Sequence, residues 1–247
     1  MSAVGGGEDR ANTRPESGIQ LALPFVHRPA FGGEDFWVAS SNAEAIAWID
    51  RWRGWTHPVL VIHGPPGCGK THLGQVFLAA TEGEGIAAAE LAGCDPVRLA
   101  AGPAVLVEDA DRLSGRDGER KLFHLHNMIM EAQGRMLLTA RIPPVRWPIA
   151  LPDLASRARA APAVAIGAPD QALIAALLIK LFADRQVRVD PAVISFMVAR
   201  MERSFEAARR LVAAMDRVAL AERRPLTVPL AAEVLARMSA ENANSSS

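Results

Sequence analysis

The sequence predicts an α/β protein in which a parallel five-stranded sheet flanked by helices is followed by a C-terminal all-α unit. Three observations carry this. The run Val59-Leu60-Val61-Ile62 leads into a glycine-rich turn and then an apolar helical stretch. Short apolar runs alternate with helical patterns as far as Ile166, as expected for parallel strands buried on both faces. After Gly167 only helical patterns remain.

Each element follows from local chemistry. Residues 1–30 read as a flexible tail, with Gln20–Phe25 as an apolar island inside it. Ser41 or Asn42 is an N-cap for a helix reaching Trp52, with Ile46, Ile49 and Trp52 near helical spacing. Val59–Ile62 is the first core strand, and the helix beyond the glycine turn runs to Ala80. Ile86–Leu91, Ala104–Glu108, Arg135–Thr139 and Ala163–Ile166 supply the other strands. A helix over Gly118–Ala132 puts Leu122, Leu125, Ile129 and Met130 on one face. The core is thus 31–167 and the helical unit 168–240. In that unit Asp170 caps Ala172–Ala183, Pro191 sits in a first turn where its missing N–H costs nothing, and Ser204 opens a helix through Leu220. Thr227 or Pro229 opens the last helix, ending near Met238, and residues 241–247 read as a disordered tail.

Composition narrows the function. The chain has 247 residues, enough for one α/β domain and a small satellite. Formal charge is zero, so no global field favours nucleic acid or an anionic membrane. Cys68 and Cys94 lack metal-like spacing and indicate a reducing, cytoplasmic setting. The first eighteen residues have no apolar signal core, and Ala172–Ala183 is too short to span a bilayer and carries Lys180.

The chemistry is concentrated in Gly64-Pro65-Pro66-Gly67-Cys68-Gly69-Lys70-Thr71, followed by His72. The spacing G-x-x-x-x-G-K-T between a strand and a helix is the phosphate-binding loop pattern. Backbone N–H groups of such a loop converge on an anion, and the positive end of the following helix faces the same point. The pattern assigns Lys70 to the β- and γ-phosphates of a nucleotide and the Thr71 hydroxyl to Mg²⁺. The strand 104–107 ends in Glu108-Asp109, two acids that are expensive there unless they face a cation or a polar site. With Thr71 they form the candidate Mg²⁺ set. Thr139 ends the next strand, where a hydroxyl can reach a γ-phosphate or an attacking water. Arg157 and Arg203 offer fixed forks of donors suited to phosphate.

At this point the sequence resembles AAA+ ATPases of the DnaA clade. The resemblance rests on Gly69-Lys70-Thr71-His72-Leu73, on Phe36–Asn42, on Leu122-Phe123-His124-Leu125-His126-Asn127 and on Leu137–Pro144. Leu151–Arg157 is similar to the segment carrying an arginine finger, and Arg203-Ser204-Phe205-Glu206 is similar to the sensor-2 helix start. The sequence ends at Ser247, leaving no segment for the DNA-reading helix-turn-helix of initiators. Gln20-Leu21-Ala22-Leu23-Pro24-Phe25 resembles the peptide that docks on the DNA polymerase sliding clamp. Leu23 and Phe25 would fill an apolar groove, Gln20 would bond at its edge, and Pro24 would lower the ordering cost.

Together these features resemble the Hda family in its alphaproteobacterial form. The resemblance implies a bacterial, clamp-associated negative regulator of replication initiation with ADP or ATP bound as a conformational ligand. The loop residues and Arg203 would hold the nucleotide, and Arg157 would act in trans on DnaA-bound ATP. Glu108-Asp109 departs from the usual Asp-first order, and Ala140-Arg141 departs from Ser-Asp-Arg. Both departures argue against an autonomous enzyme beyond a weak ATPase. The implied partners are DnaA and the clamp, with a homodimer left open and no sequence-specific DNA or membrane contact. The alternatives are a self-sufficient ATPase such as a helicase loader, or a DnaA-like initiator fragment.

Overall fold

A computed structural model describes residues 27–29, 35–113 and 115–244. The proposed clamp peptide, with Gln20, Leu21, Leu23, Pro24 and Phe25, lies outside the described residues.

Two short strands open the structure, β1 (His27–Pro29) and β2 (Asp35–Trp37), paired antiparallel. They correct the expectation of plain tail up to residue 30, because β1 is hydrogen-bonded to a partner strand from which only five residues separate it. Helix α1 (Ala43–Asp50) follows, and Asn42 is its N-cap residue. Its Oδ1 accepts from the Ala39 N–H at 2.8 Å rather than from the helix.

The central sheet contains β3 (Val59–His63), β4 (Glu84–Ala87), β5 (Ala104–Glu108), β6 (Arg135–Ala140) and β7 (Ala163–Ala165). Their order is β4-β5-β6-β3-β7, with every pairing parallel. Helices α2 (Lys70–Thr81), α3 (Pro96–Ala100), α4 (Gly115–Glu131) and α5 (Pro152–Ala160) connect the strands.

The alternation of strand side chains sets the layers. Val59, Val61, Val105, Val107, Met136 and Leu138 pack on one face with Leu122, Leu125 and Ile129 of α4. Leu60, Ile62, Leu106 and Leu137 pack on the other with Ile46 and Ile49 of α1 and Leu73 and Phe77 of α2. Strands covered on both faces need apolar residues at nearly every position, which explains the continuous runs in the sequence.

The second strand differs from expectation. It spans Glu84–Ala87, and residues 88–93 turn into a 3-10 helix that buries Ala88 and Leu91 in the core. Alanines lack the β-branched surface that holds a strand extended, so Leu91 reaches the core from a turn instead.

The C-terminal unit is four helices, α6 (Gln171–Asp184), α7 (Pro191–Arg200), α8 (Phe205–Glu222) and α9 (Val228–Asn244). Asp170, Asp190 and Ser204 cap the first three by accepting from Leu173, Ala192 and Ala207 N–H groups. Ile174, Leu178, Phe182, Met197, Leu211 and Met215 lead a separate core. α9 continues to Asn244, past the end expected near Met238 and into the segment read as a disordered tail. Residues 239–244 contain no proline or glycine to stop it, and Ser239 Oγ donates back to Leu235 O at 2.9 Å.

Candidate functional site

The site begins where β3 ends. Gly64 leaves the strand with its N–H on Ala140 O at 3.1 Å, tying the loop to the tip of β6. A Cβ at Gly64 would lie 2.2 Å from the Ile166 carbonyl oxygen, so only glycine fits there. Gly67 adopts φ +68°, and a Cβ on it would meet Ser204 Cβ at 2.5 Å. The Phe205 N–H donates to Gly67 O at 2.9 Å. The start of α8 is therefore fastened directly onto the loop.

Lys70 is buried at 8% exposure, with Nζ donating to Gly64 O at 2.8 Å and Pro65 O at 2.9 Å. Cys68 Sγ lies 3.8 Å from the same nitrogen. Burial pushes the Cys68 thiol up despite that charge, which keeps it protonated and inert. Burial, then the Lys70 ammonium, lowers the pKa of His63 at the end of β3, so its imidazole is neutral.

A cavity of about 280 Å³ lies between loop and helical unit. Gly67, Gly69, Lys70, Thr71 and His72 form one wall. Leu173 and Leu177 of α6 with Phe205, Glu206 and Arg209 of α8 form the other. Arg203, expected here, is exposed and does not line it; its neighbours Ser204 and Phe205 occupy the loop contact. The cavity's second cation is Arg209, which the sequence reading missed. The four-residue steps Leu173–Leu177 and Phe205–Arg209 each set two residues on one helix face, and that was the available signal.

The acids and Thr139 gather across the strand tips. Thr139 is buried opposite Ile62, and its Oγ1 accepts from the Asp109 N–H at 3.2 Å. Asp109 has φ +52°, and its carboxylate is 4.0 Å from both Arg112 and Arg141. Glu108 Oε1 is buried without a hydrogen-bond partner. Such an atom favours a cation or a donor nearby.

These residues fit a Mg²⁺-nucleotide. Lys70 supplies charge at the loop and Glu108 offers an unsatisfied oxygen, while the space over Gly67 and Gly69 is taken by Ser204 and Phe205. Among the described residues no group of three or more His, Cys, Asp or Glu side chains could hold a metal by itself. Mg²⁺ at Thr71, Glu108 and Asp109 would accordingly depend on phosphate oxygens.

Arg157 stands elsewhere. It is half-buried on α5, with its guanidinium carbon 5.0 Å from the centre of the Phe123 ring and Nη1 3.4 Å from His126 Nδ1. It does not line the cavity.

The sheet order, the phosphate loop and the helical unit fastened to it define a P-loop α/β fold with a C-terminal helical lid. Residues 170–235 match the family model for Hda, lid domain. The fold is similar to domain III of the replication initiation protein DnaA from Thermotoga maritima, with TM-score 0.72, 17% identity, and coverage of 82% of this chain and 94% of that one. It is also similar to AMPPCP-bound DnaA from Aquifex aeolicus, with TM-score 0.64, 16% identity, and coverage of 87% and 70%. A third similar structure is the Thermotoga maritima RuvB Holliday junction branch migration motor, with TM-score 0.61, 14% identity, and coverage of 80% and 69%. No curated protein sequence matches the chain. The family match lies in the C-terminal helical unit, and the structural likenesses show the fold. Among the described residues no helix is long and apolar enough to cross a membrane.

Proposed function

We propose that this protein is a negative regulator of DNA replication initiation that stimulates hydrolysis of ATP bound to DnaA. The observation that carries the reading is the helical unit matching the Hda lid, fastened by Ser204 and Phe205 to the phosphate loop, while Arg157 does not line that cavity. An adenine nucleotide, ADP or ATP, would bring the loop and the lid a shared anionic ligand. Gly64 to His72 would cradle it, and Arg209 would approach it from the lid. Thr71, Glu108 and Asp109 would hold Mg²⁺.

The chain's own residues then do two things. Closure of α8 on Gly67 and Gly69 fixes the angle between lid and core, and so the surface offered to a partner. Arg157 projects from α5 toward a neighbouring DnaA, where a guanidinium supplied in trans stabilises transition-state charge, an effect of about 10³–10⁵ in rate. Gln20, Leu21, Leu23, Pro24 and Phe25 tether the protein to the sliding clamp and raise its local concentration at the replisome in the cytoplasm.

The test is a reconstitution of DnaA-ATP, DNA-loaded clamp and this protein, following phosphate release. Clamp-dependent stimulation that vanishes in Arg157→Ala, with nucleotide and clamp binding retained, is the expected result. Robust phosphate release by the protein alone would favour an autonomous ATPase instead.

A further inference from the structure

Arg157 is held by two side chains of α4, and one of them is hard to explain by packing. His126 is buried at 4% exposure. Its Nδ1 is the ring nitrogen near the Arg157 guanidinium, at 3.4 Å, and a guanidinium can only donate, so Nδ1 accepts. The ring proton therefore sits on Nε2, which is buried with no hydrogen-bond partner. A buried donor left unmade costs stability, and a phenyl ring would fill the same space without that cost. The titratable and charged groups acting on the ring are Arg157 of α5 and His57 ahead of β3, whose ring centre is 6.5 Å away. Burial first, and then these two groups, disfavours a positive charge on the ring, so the imidazole stays neutral and its acceptor lone pair stays available.

We propose that His126 is a positioning residue for Arg157. Its Nδ1 fixes one edge of the guanidinium while the Phe123 ring supports the guanidinium from α4, so the arginine is presented in one orientation. A free arginine side chain would have to give up its rotamer freedom on meeting a partner; one already held gives up less. This deepens the function proposed above and rests on the trans role given there to Arg157.

The test uses the full chain and three variants, His126→Phe, His126→Asn and Arg157→Ala. Stimulated phosphate release is measured beside chemical stability, and the His126 titration is followed by NMR in wild type and Arg157→Ala. His126→Phe is expected to be as stable as wild type near neutral pH yet to lose stimulation on the order of tenfold, the weight of one hydrogen bond to a charged group. His126→Asn, whose Oδ1 stands in for Nδ1, should recover most of it. The His126 titration should move up toward the ordinary imidazole range in Arg157→Ala. Full stimulation by His126→Phe, where Arg157→Ala abolishes it, overturns the positioning role and leaves the proposed function intact. Stimulation retained by Arg157→Ala overturns the proposed function itself, and an unmoved His126 titration overturns the contact between the two side chains.

Discussion

Gly67→Ala probes the contact between lid and loop that distinguishes this architecture. The new methyl would sit 2.5 Å from Ser204 Cβ and 2.9 Å from Ser204 Oγ, on a backbone at φ +68°. Holding alanine in that left-handed region costs about 1–2 kcal/mol. Relieving the overlap must move α8 or the loop, an overpacking cost of about 1–3 kcal/mol. The same shift disturbs the Phe205 N–H to Gly67 O bond of 2.9 Å. The two costs separate in a double-mutant cycle with Ser204→Gly, which removes the Cβ and, as an N-cap change to glycine, costs only a few tenths of a kcal/mol. Denaturant midpoints and titration with a fluorescent ADP analogue read the cycle. Gly67→Ala should weaken nucleotide binding roughly 30-fold, equivalent to about 2 kcal/mol, and much of that should return in the double variant. Additive effects within about 0.5 kcal/mol would refute a direct lid–loop contact at Ser204.

Other outcomes follow from the same geometry. Lys70→Ala should abolish the stabilisation by ADP seen in thermal melts, about 2.7 kcal/mol at a hundredfold excess over Kd for the wild type. Arg209→Ala should weaken ADP binding more than Arg203→Ala, because Arg209 lines the cavity and Arg203 does not; calorimetric titration ranks them. Burial, then Arg157 and His57, lowers His126 to about 4. The unfolded chain, titrating near 6.5, therefore binds more protons between those values, and stability should rise with pH across that window by about 3 kcal/mol and level off above it. Denaturation of His126→Phe across the same range should lack that contribution. Changing Gln20, Leu23 and Phe25 together to Ala should remove clamp pull-down, and persistent capture would place the dock elsewhere.

The strand–loop–helix around Lys70 was legible in the sequence because every part of it is local. Glycines at fixed spacing, a buried β-branched strand and an amphipathic helix determine one another within about twenty residues. The same holds for Asp170 and Ser204 as caps and for Pro191 in a first turn, roles that depend only on immediate neighbours. Ala87–Leu91 shows the limit. An alanine-rich stretch has weak intrinsic preference, and the burial of Leu91 against Leu122 and Val107 decided that it turns.

What the sequence by itself determined is the phosphate loop, the parallel α/β core and the four-helix unit after it, since periodicity and turn chemistry act along the chain. Only the tertiary structure decided which arginine faces the cavity and which side chains hold Arg157. Arg203 and Arg209 are indistinguishable as residues. Whether either reaches the loop depends on how α8 lands on Gly67, a contact between positions more than a hundred residues apart. His126 likewise gains its role only because α5 packs beside α4 and brings a guanidinium to its Nδ1.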